Sequence, residues 1–150
     1  MIADFNTMPE MFWYCNEHYF NNELPTPKYG VLHSYKILGR FTYNLEDMHK
    51  PGKKRYKAIS MSDYFDFDEE TFRNIMVHEM IHYYLFLKGF SDFSLIRHLF
   101  LRFFTFKDYH HGPEFMAMAQ KMNEQYGLNI AKTCDASTIP LSPNAPKYQK

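Results

Sequence analysis

The sequence predicts a single α+β domain spanning residues 1–150: an N-terminal helix, a small three-stranded sheet, a long central helix and a C-terminal helix. Three observations carry this expectation. A chain of 150 residues, 45% hydrophobic and 19% aromatic, can bury one sizeable core and is too short for two, and such a composition excludes a disordered chain. Two stretches, 28–43 and 56–62, are patterned as strands. Between Asp68 and Lys88 there is neither Pro nor Gly, so one helix can run uninterrupted until Gly89 stops it.

Taken in order, Met8, Met11, Phe12, Cys15, Tyr19 and Phe20 fall near one helical stripe, and Pro9 suits the first turn. His18 on this helix reads as a solvated or core-edge histidine. Asn21-Asn22 and Leu24-Pro25-Thr26-Pro27 then turn the chain. Tyr29, Val31, His33 and Tyr35 alternate with smaller or polar residues, and Gly39 interrupts before Arg40-Phe41-Thr42-Tyr43, which gives two strands joined by a short bend. His33 has no partner at ligand spacing and reads as structural. Residues 48–55 form a basic Pro-Gly loop. The third strand, Tyr56–Ser62, feeds into the central helix, and as an edge strand it would suit an extended peptide.

The central helix has an acidic front, Asp66, Asp68, Glu69 and Glu70, which reads as capping; either Asp66 with Glu69, or Asp68 with the next turn, would serve the free amides. Phe72, Ile75, Met76, Val77, Met80, Ile81, Tyr84, Leu85 and Leu87 leave it almost no polar face, the pattern of a buried helix. Yet this helix carries His78-Glu79-Met80-Ile81-His82. Residues four apart stack on one helical face, so His78 and His82 can offer two imidazole nitrogens to a single ion. Glu79 is rotated by roughly 100° from His78, which puts its carboxylate beside the ion, where it can take a proton from an activated water. Burying three polar groups without partners is expensive, and a metal satisfies all of them.

A catalytic zinc commonly takes three protein ligands. The short spacing to a third histidine is absent, because Leu85 and Lys88 stand at the positions where it would need Gly and His. His98, His110, His111 and Glu114 are the candidates downstream, and chemistry alone does not separate His110, His111 and Glu114. The remaining chain reads as an aromatic and basic segment, 90–107, expected to cover the core as a helix or helical hairpin, with a membrane or partner surface as the alternative. A helix through Met116, Ala119, Met122 and Tyr126 follows, then a short final strand at 128–130 and an irregular tail over 135–150.

Several segments also match a known pattern in order. Phe20-Asn21-Asn22-Glu23-Leu24-Pro25 follows the first helix; Leu38-Gly39-Arg40-Phe41 and Ile59-Ser60-Met61-Ser62 stand at two strands; then come His78-Glu79-Met80-Ile81-His82, His111-Gly112-Pro113-Glu114-Phe115 and Tyr126-Gly127-Leu128-Asn129-Ile130. Together they span about residues 10–131, within an expected core of 8–131, and resemble the SprT-like domain family, which includes the Spartan-type proteases. The resemblance implies a zincin-like fold, His78, His82 and His111 as ligands to one zinc ion, and Glu79 as general base. It leaves His110 a neighbour of the site and Glu114 a structural or supporting residue. Asp108 could orient a ligand imidazole. The gap between His82 and His111 is longer than in Spartan-type members. The four-cysteine zinc ribbon that follows many such domains has no counterpart in these residues, so DNA-dependent activation is not carried over.

The resulting expectation is a zinc-dependent metallopeptidase acting on protein or peptide substrates, with other divalent ions compatible with the same donors. Two other classes fit parts of the sequence: a catalytically silent, zinc-stabilised binding module, and a DNA-associated protein using Lys50, Lys53, Lys54, Arg55 and Lys57 as a contact patch. Zero net charge argues against a global attraction to nucleic acid or anionic membrane. Cys15 and Cys134 lack a CxxC partner and read as free thiols of a reducing compartment. With no signal-peptide pattern and no apolar run of membrane-spanning length, a cytoplasmic monomer is expected.

Overall fold

The structure, a computed structural model, describes residues 1–44, 47, 50, 51, 56–88 and 112–147. Among them the chain forms an α+β fold in the order α1 (Thr7–Tyr19), β1 (Lys28–Leu32), β2 (Gly39–Tyr43), β3 (Lys57–Ser62), α2 (Glu69–Lys88) and α3 (Pro113–Tyr126), with a 3₁₀ turn at Ala136–Thr138. The aromatic segment 90–107, most of the basic loop, and His98, His110 and His111 lie outside the described residues.

The sheet corrects one expectation. Its order is β1-β3-β2, with β3 parallel to β1 and antiparallel to β2. β3 is therefore the central strand, its backbone bonded on both sides, and all six of its residues are buried. The two strands joined by the short bend do not pair with each other, because β3 lies between them. The edge nearest the central helix belongs to β2.

Local chemistry explains where the helices begin and end. The Asp68 carboxylate accepts from the Thr71 amide at 2.7 Å and so caps α2. Asp66 is occupied elsewhere, by the Met1 amine at 2.7 Å. α1 is capped from outside by Asp4, whose Oδ1 accepts from the Asn6 and Thr7 amides at 2.8 and 2.7 Å. After α1 the chain turns through Asn21 and Asn22 in the left-handed region, φ 53° and 57°, where asparagine is among the better-tolerated residues. Buried Asn16 clamps this turn: its amide donates to Leu24 O at 2.9 Å, and its Oδ1 accepts from Leu24 N at 3.2 Å. Nearby, the Tyr83 hydroxyl of α2 donates to Pro25 O at 2.6 Å.

The core lies between α2 and the elements that wrap it. Phe12 of α1 stacks near Tyr83, while Phe41 and Tyr43 of β2 pack on Tyr83 and Phe86 with centroids 5.0–5.4 Å apart. Phe115, Ala119 and Met122 line the buried face of α3. The final strand expected at 128–130 is absent; that stretch is irregular, and Ile130 is buried without strand pairing. The tail is irregular as expected, yet it is built into the fold: Leu141 bridges Phe65, Ser142 N donates to Tyr64 O at 2.9 Å, and Ala145 is fully buried.

The lone histidines take bland roles. His18 Nδ1 lies 2.8 Å from Tyr14 O and its ring stacks on Tyr14, while His33 Nδ1 pairs with Asp63 at 2.9 Å. Both cysteines are free, and burial pushes the Cys15 thiol up to about 12. Among the described residues no helix is long and apolar enough to cross a membrane.

Losing a clamp should matter more than losing a cap. Asn16→Ala leaves a buried amide and a buried carbonyl of Leu24 unpaired and is expected to lower unfolding stability by about 2–3 kcal/mol. Asp68→Ala should cost about 1 kcal/mol. Urea denaturation of the two variants checks the order; equal losses would mean that Asn16 does not hold the turn.

Candidate metal centre

Helical spacing brings His78 and His82 together as the sequence predicts. Ligand-capable atoms of His78, Glu79 and His82 all lie within 4.8 Å of one another, and the two rings have centroids 5.1 Å apart at 64°. These three side chains could hold a metal ion. The donor set fits a divalent ion: two partly exposed imidazoles beside a carboxylate that is itself buried.

His78 Nδ1 lies 2.9 Å from the carbonyl of Ala131. A carbonyl has no proton to give, so Nδ1 carries the hydrogen and Nε2 keeps the lone pair that can bind an ion. Phe115 of α3 walls the pair on its other side, 4.8 Å from the His78 ring and stacked at 4.6 Å on His82.

Glu79 is 6% exposed. Burial pushes its carboxyl up to about 8, opposed by a hydrogen bond from the Phe41 backbone amide. That bond puts β2 directly beside the carboxylate. Gly39 makes the approach possible, since a Cβ there would stand 2.9 Å from both Glu79 Oε2 and Ile75 Cγ2. Any larger residue here would force the Glu79 or Ile75 side chain to shift.

Glu114, one of the candidates for a third ligand, is not in the group. It lines an open groove of about 520 Å³ between the end of α1 and α3, with Tyr19, Glu23, Tyr84 and Lys121. His98, His110, His111 and Asp108 fall outside the described residues. Of the basic patch, Lys50 pairs with Asp47 at 3.0 Å and Lys57 is buried in β3, so two of its five members are engaged in the fold.

Sequence reasoning missed four contributors: the Ala131 carbonyl, the Phe41 amide, the clearance at Gly39 and the Phe115 wall. The first two are backbone groups, which every residue offers, so no residue type marks them. Gly39 was visible as an interruption, and Phe115 as part of a motif, but neither carried its role. No protein-family model and no curated protein matches the chain.

Gly39→Ala tests the β2–α2 approach. Overpacking of a close contact costs about 1–3 kcal/mol. Reduced freedom of the unfolded chain returns about 0.4–1 kcal/mol of that. A net destabilisation of about 1–2 kcal/mol is expected by urea denaturation; an unchanged or raised midpoint would mean that β2 is not seated against Glu79.

Proposed function

We propose that this chain is a SprT-like, zincin-type metallopeptidase domain that hydrolyses peptide bonds at a zinc ion held by His78, His82 and His111, with Glu79 as general base. The observation that carries the reading is the pairing of two imidazoles, one helical turn apart, with a buried carboxylate in the same 4.8 Å group. A purely structural site has no use for that carboxylate, which favours an enzyme over a silent binding module. His111 enters through the resemblance, supported by sequence proximity: it stands four residues before Phe115, which packs on both ligand rings.

A bound zinc would supply a Lewis acid for the scissile carbonyl and would acidify a water. The chain's own residues do the remainder. Glu79 Oε takes a proton from the attacking water and delivers it to the departing amine. Burial raises its proton affinity, which strengthens it as a base once ionised, and the hydrogen bond from the Phe41 amide favours that ionised form. Ala131 fixes the tautomer of His78, leaving Nε2 to bind.

The fold also suggests how an extended substrate would lie. Among the described residues β2 is paired on one side only, and the Phe41 amide on that strand reaches Glu79. A peptide added along the β2 edge by backbone hydrogen bonds would run past Glu79. This reading moves the substrate edge from β3, where the sequence pointed, to β2.

Glu79→Gln is expected to retain zinc and to lose about 10²–10⁴-fold in peptide hydrolysis, read by metal analysis and by turnover of a broad peptide library. His111→Ala should lose zinc while His110→Ala keeps it. A wild-type protein that holds zinc and cleaves nothing would remove the enzyme reading, and the reverse behaviour of the two histidine variants would move the third ligand.

A further inference from the structure

The carbonyl that meets His78 belongs to an irregular segment, and irregular backbone holds a position only when something fixes it. α3 ends at Gly127 in the left-handed region, φ 68°, with the Gly127 amide donating to Asn123 O at 3.0 Å. The chain then runs back toward α2 without forming a strand. The Asn123 side chain takes hold of it twice: Nδ2 donates to Ile130 O at 2.9 Å, and Oδ1 accepts from Ile130 N at 2.7 Å. Ile130 is 5% exposed, so this bidentate clamp sits at the edge of the core. A second amide helps from the other side, where Asn74 Oδ1, one helical turn before His78, accepts from Asn129 N at 3.2 Å. The next residue after the clamp is Ala131, whose carbonyl stands 2.9 Å from His78 Nδ1.

We propose that Asn123 is a positioning residue for the metal centre, fixing residues 127–131 so that the Ala131 carbonyl holds the proton of His78 on Nδ1 and leaves Nε2 for the ion. The inference rests on the reading that His78 binds a metal. The side-chain amide is suited to this because it presents a donor and an acceptor in one plane, matching the C=O and N–H of a single residue. An aspartate has the same shape and no donor, so it would set an acceptor against Ile130 O. Freed from the carbonyl, a histidine ring is at liberty to turn and to move its proton to Nε2, which removes the ligand lone pair. Groups that orient a ligand imidazole in this way commonly affect metal affinity by about 10–100-fold when replaced.

The test uses the metal-free protein and zinc alone. Long-range ¹⁵N–¹H spectra of the metal-free wild type should show His78 protonated on Nδ1. In Asn123→Asp the His78 signals should shift toward the Nε2-protonated form with those of His82 unmoved, and zinc affinity by chelator competition should fall about 10–100-fold. Asn123→Ser keeps a group able to make one of the two bonds and should fall between. It also serves as the reading if the aspartate variant does not fold. A merely structural role for Asn123 would lower stability without moving the His78 tautomer. If either variant folds cooperatively with the wild-type tautomer and zinc affinity, the proposal is overturned. If the wild type takes up no zinc, the metal reading falls, while the tautomer comparison still reports on whether Asn123 orients His78.

Discussion

The structure depends on keeping a carboxylate out of water in the middle of an apolar helix. Glu79 is almost fully buried, and its proton affinity is raised accordingly. To bury it, β2 must come close enough for a backbone amide to reach the carboxylate, which leaves little room for a side chain at position 39. To keep the neighbouring histidines both shielded and reachable, α3 must lay an aromatic ring against them. α1 closes the helix from another side through Phe12 and Tyr83. A helix apolar nearly all round needs cover on every face, and the placement of the other elements follows from supplying it.

Asparagine does much of the fastening. Asn16 clamps the turn after α1, and Asn123, with help from Asn74, clamps the return after α3. In each case irregular backbone is tied to a helix by a side-chain amide that satisfies a donor and an acceptor together. This matters because buried backbone groups outside regular structure have no ladder to pair with. It also lets turns without periodic pattern hold defined positions next to a chemical site.

What the sequence revealed, and what it hid, follows from the range of the forces involved. α2 was legible nearly to the residue, since its apolar run, acidic front and lack of Pro or Gly are all local. The pairing of His78 with His82 was legible for the same reason: helical geometry fixes it. The order of the strands was not, because Lys57–Ser62 reads alike whether it lies at an edge or at the centre. Its two neighbours come from residues about twenty and thirty positions earlier. The stretch at 128–130 looked like a strand because Leu128 and Ile130 are apolar; the clamp at Asn123 decided otherwise. The partners of His78 and Glu79 are backbone groups, and no residue type announces them.

The start of α2 is held by both extremes of the described chain. Met1 bonds to Asp66 and, through two hydrogen bonds, to the backbone of Phe67, while Leu141 and Ser142 lie along Tyr64 and Phe65, and the Asp66 amide donates to Pro140 O at 2.9 Å. These contacts join residues separated by 65 or more positions. Contacts of that span close large loops and form late, and they slow folding relative to local helix formation. The helix bearing the histidines can thus take shape early, from its own pattern, while the segment leading into it is locked only after residues 140–142 have left the ribosome. A nascent chain would carry His78, Glu79 and His82 on a formed helix before the segment leading into that helix is fastened, so the order of synthesis separates the appearance of these side chains from the completion of the frame around residues 63–67.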